Sequence, residues 1–214
     1  MSAQGSAGII IKMTKGASTA TATKPTAIVG AKVTVTNTAK EGDIVVFGKT
    51  GFPALDGKTF VVATGPKATE FDIVLGSLDA SAITGTLDAN AEVTIYPASD
   101  VITLCVSSIG LNPDTAGDIN VPTYCDPSAT IPGQVASAGS LQLGGYIDVK
   151  SEDYKELMAA ELDGKVRYLD IDLLENGNIV APFKLKSIKW DLPLEGAIAY
   201  TAEATLLSKP RHLF

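Results

Sequence analysis

Histidine and cysteine are nearly missing from this chain, and most enzyme side-chain chemistry is missing with them. The single histidine, His212, lies at the frayed C-terminal end, a poor position for the base of a catalytic triad. Cys105 and Cys125 are the only cysteines, and neither has a histidine near it in sequence, so no zinc cluster or Cys–His nucleophile can be assembled. One disulfide is open to them, but so small a count does not indicate it, and two reduced, mostly buried thiols are expected. No Walker loop, dinucleotide fingerprint or HExxH sequence occurs. Basic residues are outnumbered, 17 Lys and Arg against 24 Asp and Glu, and a net charge of −7 argues against wrapping nucleic acid through phosphate contacts. No run of eighteen apolar residues exists, so no membrane span is expected. The opening MSAQGSAGIIIKMTKG lacks the basic start and apolar stretch of a secretory signal. Neither an enzyme nor a cofactor or metal site is expected.

What is present is mostly strand and turn. Twenty glycines and 11 prolines bound short runs rich in Val and Thr, the pattern of a β-rich protein. One stretch, Ser151 to Gly164, reads clearly as a helix. Ser151 is placed to cap it, its hydroxyl free to accept from a first-turn N–H, and Glu152, Asp153 and Glu156 suit the positive end of the dipole. Tyr154, Leu157, Met158 and Leu162 recur as one apolar stripe, and Gly164 supplies a left-handed stop. A lone helix must lay that stripe on a β-structure. Charge is uneven: residues 1–29 hold three lysines and no acid, whereas Asp148 to Glu175 holds nine acids against four bases. A solvated face is the ordinary reading of such a bias.

Taken in order, the chain opens with a strand at Ile9 to Met13, and the small and hydroxyl residues from Gly16 to Pro25 read as a flexible arm or linker. Strands follow at Val33–Thr36, Asp43–Phe47, Thr59–Ala63, Phe71–Leu75 and Val93–Tyr96, separated by turns at Gly42, Gly51, Gly57 and Gly65. Val101 to Ser107 is another strand. The segment Gly110 to Gly139 is polar and carries Pro113, Pro122, Pro127 and Pro132, which remove backbone donors, so it is expected to lack a ladder of its own and to borrow partners. Its Asp114–Asp118 turn lacks the dense oxygen pattern of an EF-hand. Leu141, Leu143, Ile147 and Val149 share one strand face. Leu169, Ile171 and Leu173 share another, opposite Tyr168, Asp170 and Asp172. Asn176-Gly177 marks a hairpin, the change of face near Ser187 a bulge, and Gly196–Leu207 a last strand. Lys209 to Phe214 reads as a basic and apolar arm.

Two resemblances arise from this order. The series Val33-Thr34-Val35-Thr36, Gly42-Asp43-Ile44-Val45, Leu55 to Val62 and Phe71 to Leu75 resembles a small β-module that recurs in phage structural proteins and is related to an inserted domain of ubiquitin-activating enzymes. Around it, the loop with Ile119 to Tyr124, Gly139 to Asp148, the helix with Asp153-Tyr154 and Leu157, Arg167 to Ile171, the Asn176-Gly177 hairpin and Phe183 to Trp190 resemble the tail tube (major tail) proteins of long-tailed bacteriophages. The resemblance implies a mainly β fold of two packed antiparallel sheets, sandwich- or barrel-like, with one flanking helix. Residues 1–29 and 98–214 would form that domain, and 30–97 an inserted all-β module projecting outward. It further implies homo-hexameric rings stacked into a tube for double-stranded DNA, contacts with other tail proteins, and a place in the virion tail after assembly in the bacterial cytoplasm. Under it, Asp170 and Asp172 become candidate lumen residues, although an outer solvated face fits them equally. Asn112, Pro113, Asp114, Pro122, Tyr124, Pro127 and Pro132 become candidates for an intersubunit loop, and both arms are expected to order on neighbours. The reading from another class is a secreted or surface β-sandwich that binds carbohydrate or protein. Sparse aromatics, 6% of the chain, count against a sugar platform.

Overall fold

The structure, a computed structural model, describes residues 9–16, 19–36, 39–63, 65–67, 69–113, 118–120, 130–132, 138–173, 177–193 and 196–213. The fold is mainly β with one α-helix, as the turn-bounded runs predict. Its larger part is one antiparallel sheet built from β1 (Ile10–Thr14), β9 (Val101–Thr103), β10 (Ser108–Asn112), β13 (Ser140–Tyr146), β14 (Arg167–Asp172), β15 (Asn178–Asp191), β16 (Ala199–Leu206) and β17 (Arg211–Leu213). The strand order is β10-β13-β16-β15-β14-β1-β9, with β17 beside the start of β15.

This sheet cannot lie flat. Laid out, its two edge strands would be about 29 Å apart at ~4.8 Å per strand. Yet β9 and β10 are those edges, and only residues 104–107 join them, a link that reaches at most about 17 Å. Leu104 N–H still donates to Ile11 O on β1 (2.8 Å), and Ser107 N–H already donates to Gly144 O on β13 (2.7 Å). The sheet therefore curls until its ends nearly meet, and the two expected layers are halves of one sheet. Between them Met13, Leu141, Leu143, Leu157, Leu169, Ala181, Phe183 and Ala202 are fully buried in one core. β15 changes register between Leu185 and Ser187, at the bulge expected from its change of face, and a bulge bends its strand.

The helix α1 (Glu152–Asp163) lies along that core through Leu157 and Ala160. It also covers an open stretch of strand edge, since Ile188 N–H donates to Glu161 Oε1 (2.9 Å) beyond the point where β14 stops pairing. Gly164 ends it in the left-handed region (φ 56°) as expected. Two details differ from the sequence expectation. Ser151 holds the cap position, but its hydroxyl donates to Asp148 O (2.8 Å) and accepts nothing from the helix. Leu162 is 83% exposed, because the stripe turns off the core after Met158 and Ala160 takes its place. Val149 is likewise exposed, since β13 ends at Tyr146 before the alternation reaches it.

The smaller part consists of a sheet ordered β2-β8-β5-β6 and another ordered β3-β4-β7, from β2 (Thr21–Thr23), β3 (Pro25–Val29), β4 (Lys32–Val35), β5 (Ile44–Phe47), β6 (Thr59–Val61), β7 (Glu70–Asp72) and β8 (Val93–Tyr96). A bridge from Val62 to Ile73 ties the two sheets together. Val33, Phe47, Leu55, Phe60 and Val93 fill its core, with Phe47 and Phe60 edge to face at 5.5 Å. Thr21–Thr23 and Pro25, the first residue of β3, are thus in paired strands, not a flexible arm. Threonine is at home on a half-buried pleat, so small hydroxyl residues there carry a strand that composition alone does not reveal.

Within the Pro-rich segment, β11 (Asp118–Asn120) and β12 (Thr130–Pro132) pair with each other, which corrects the expectation of no internal ladder. Pro132 sits opposite Asp118 at the end of that short ladder, where a missing N–H costs little. Asn112 and Pro113 are exposed at the end of β10. Asp114, Pro122, Tyr124 and Pro127 lie outside the described residues.

Candidate assembly surfaces

With one sheet curled around one core, its two halves present outer faces in opposite directions. One outer face is clothed. Tyr168 of β14 meets Tyr96 of β8 with ring centroids 5.0 Å apart, and burial pushes the Tyr168 hydroxyl pKa upward. Val180 of β15 and Leu213 of β17, 1% and 0% exposed, belong to the core of the smaller unit. Arg211 lies 4.4 Å from the Phe60 ring centre. Gly76 makes this approach possible: its φ is 61°, and a Cβ there would collide with the His212 carbonyl. The C-terminal residues are therefore docked on their own chain, which corrects the expectation that this arm awaits a neighbour. They reach there because Arg211, His212 and Leu213 continue the β15 edge after β16 leaves it.

Asp170 lies on this clothed face. It is 3% exposed, accepts from Asn178 Nδ2 (2.7 Å), and stands 3.8 Å from Lys12 Nζ. Lys12 also reaches Asp172, 3.5 Å away and partly exposed. Burial raises the Asp170 pKa above the ordinary carboxylate range, and the Asn178 hydrogen bond and Lys12 charge offset only part of that. Neither a channel wall nor an open solvated face describes Asp170 in the subunit. Alternation placed it opposite Leu169 correctly, but could not say that a second unit covers that side.

The other outer face is bare and polar. Gln142 of β13, Thr201, Glu203 and Thr205 of β16, and Lys184, Lys186 and Lys189 of β15 cover it, with Lys189 Nζ 2.6 Å from Glu203 Oε1. Gln142 pairs with Glu203, and Lys184 with Thr205, so these side chains form rows across neighbouring strands. The lysines lie on the strand that pairs with the Asp170 strand. Only the fold separates the two sets onto opposite sides.

Cys105 is exposed, which corrects the expectation of a buried thiol. It stands in the short link between the sheet edges, where its backbone N–H donates to Asp153 Oδ2 of the helix (2.9 Å). Cys125 lies outside the described residues. Among the described residues no group of three His, Cys, Asp or Glu side chains could hold a metal ion. No helix of the described residues is long and apolar enough to cross a membrane.

No protein-family model matches this chain, and no curated protein matches it. Two similar solved structures are chains of gene transfer agent particles. One is from the tail of an empty particle with C6 symmetry, at 14% identity over 54% of this chain and 87% of that chain, with a TM-score of 0.40. The other is from the virion of a native particle, at 13% identity over 52% and 88%, again with a TM-score of 0.40. Likeness at that level establishes neither fold nor function, so a functional reading has to rest on the geometry of this chain.

Proposed function

We propose that this chain is a structural subunit of a virion tail tube, closing homo-hexameric rings that stack around a channel for double-stranded DNA. The observation that carries the reading is the contrast between the two outer faces of the curled sheet. A tube subunit needs one face free of insertions, so that the channel stays open, and room for an inserted unit on the opposite side. The bare face of β13, β16 and the second half of β15 meets the first need, and the unit on β14 and the start of β15 meets the second.

In this reading the lumen is lined by Gln142, Lys184, Lys186, Lys189, Thr201, Glu203 and Thr205, and Asp170 is not among the lining residues. A lysine that meets a phosphate adds affinity and slows sliding. Glu203 answers Lys189 directly, which offsets one of the three lysines on this face. Edge-to-edge joining across subunits would cover open strand edge on this half of the sheet. The unit at 30–97, together with β2 and β3, then decorates the outside.

Negative-stain microscopy of the purified protein tests the reading directly, with rings or tubes expected. Accessibility tests the faces, in a background with both native cysteines replaced by serine. Thr201→Cys should be shielded from a bulky maleimide polymer in tubes, and Val29→Cys, on the outer unit, should react in tubes as in monomers. A protein that stays monomeric at every concentration and salt overturns the assembly. Equal labelling at both positions in intact tubes overturns the assignment of faces.

A further inference from the structure

Five large apolar side chains gather at one end of the sheet and stay exposed: Tyr146 (64%), Val149 (67%), Trp190 (52%), Leu192 (69%) and Ile198 (42%). They come from the same end of three neighbouring strands. Tyr146 and Asp191 both stand opposite Ala199, Trp190 stands opposite Tyr200, and Ile147 N–H donates to Ile198 O (2.9 Å). At roughly 100 Å² each they expose about 500 Å², divided between the two faces of the strand ends, since Tyr146 stands level with Asp191 on the bare face and Trp190 level with the buried Tyr200 on the other. The largest is held in place, because the Trp190 indole N–H donates to Tyr154 Oη (3.0 Å) and the Tyr154 ring lies on Tyr200. A preset aromatic anchor is what a protein contact uses at its centre.

A second apolar group lies near the other end of β16. Leu207 N–H donates to Pro182 O, and Arg167 pairs with Phe183, so Leu207 and Val166 flank β15 far from Trp190. Gly164 backs onto the Lys184 side chain, bringing the helix end and Leu162 to the same place. Leu162, Val166 and Leu207 are 83%, 42% and 49% exposed, and Lys165, Lys184 and Lys209 are exposed around them. The first rim instead carries Asp148 and Asp191 with Lys150. The two ends differ in charge balance and in shape, so contact between them is head to tail and repeats without end.

We infer that the Trp190 rim of one copy docks on the Leu162–Val166–Leu207 end of the next copy, forming the contact between stacked rings. The inference deepens the tube reading and rests on it for the identity of the occupant. Within a ring a continuous barrel joins strands edge to edge, which leaves strand ends facing along the axis. The apolar parts of both ends come to about 800 Å², and the charged residues around them bring the contact toward the ~1,200 Å² of a specific interface.

The test uses two double variants of the full chain, Val149→Asp with Leu192→Asp and Leu162→Asp with Leu207→Asp, followed by sedimentation velocity and microscopy. Circular dichroism melts matching the unchanged protein show that both fold. Each variant alone should stop at single rings, and a mixture should form stacked pairs of rings and go no further, since one intact end of each kind remains. Tubes formed by either variant as readily as by the unchanged protein overturn the inference and leave the tube reading standing. Folded variants that form no rings also overturn it, because the patch is then a contact within the ring. An unchanged protein that never assembles overturns both.

Discussion

Replacing Leu213 with alanine asks whether the last strand holds the two units of this chain together. Leu213 is fully buried, and it fills the core of the smaller unit although its strand pairs with Asn178 of the large sheet. Truncation removes about three carbon groups from that core at ~0.8 kcal/mol each. A residual cavity adds to this, which puts the total near 3 kcal/mol, inside the ~2–5 kcal/mol span of such substitutions. Arg211 stays over Phe60 in the variant, so the strand keeps one of its two anchors. Hydrogen exchange reads the loss locally. Amides of β5 and β6 should exchange about a hundredfold faster, the ratio that nearly 3 kcal/mol implies. The fluorescence of Trp190, the single tryptophan, reports the large sheet and should shift its urea midpoint by much less. A loss below about 1 kcal/mol in the smaller unit, or an equal loss of protection in β13 and β16, would refute the idea that Leu213 serves the smaller core.

Further outcomes follow from other contacts. Gly76→Ala should reproduce the exchange pattern of Leu213→Ala, because its Cβ must displace the His212 carbonyl and the strand with it; unchanged exchange in β6 would show that the strand does not need that gap. Asp170 keeps its proton longer in the folded chain, so its contribution to stability falls as pH rises from about 4 through its raised folded pKa, the unfolded chain losing its proton first. Asp170→Asn has no such loss, and the variant should gain on the parent in urea melts as pH rises from below about 4; parallel curves would refute this. Cys105 should react with a small thiol reagent in the native protein, an adduct that mass spectrometry places on its peptide and that Cys105→Ser abolishes. Excising residues 30–97 alone should yield a less soluble protein than excising 20–97, since the shorter cut leaves β2 and β3 without partner strands. Equal solubility would mean that β2 and β3 without their partner strands do not promote association.

Much of this fold was readable locally, because strand alternation, turn glycines and helix stops are properties of short windows. The strands from Val33 to Tyr96, the bulge near Ser187, the Gly164 stop and the strand Ala199–Leu206 all follow from residues within a few positions of each other. What the windows could not show is which side of a strand another part of the chain would cover. Asp170 and Lys184 sit on polar sides of paired strands and look alike in sequence. The return of Leu213 and Arg211 to the start of β15, over a hundred residues from Phe60, buries one side and leaves the other bare. The same holds for Thr21 to Val29, whose small side chains form strands only because Val93 to Tyr96 and Lys32 to Val35 offer them edges. Alternation determined which residues share a face, and only long-range contact decided which faces meet water, because burial belongs to pairs of surfaces and not to one stretch of chain.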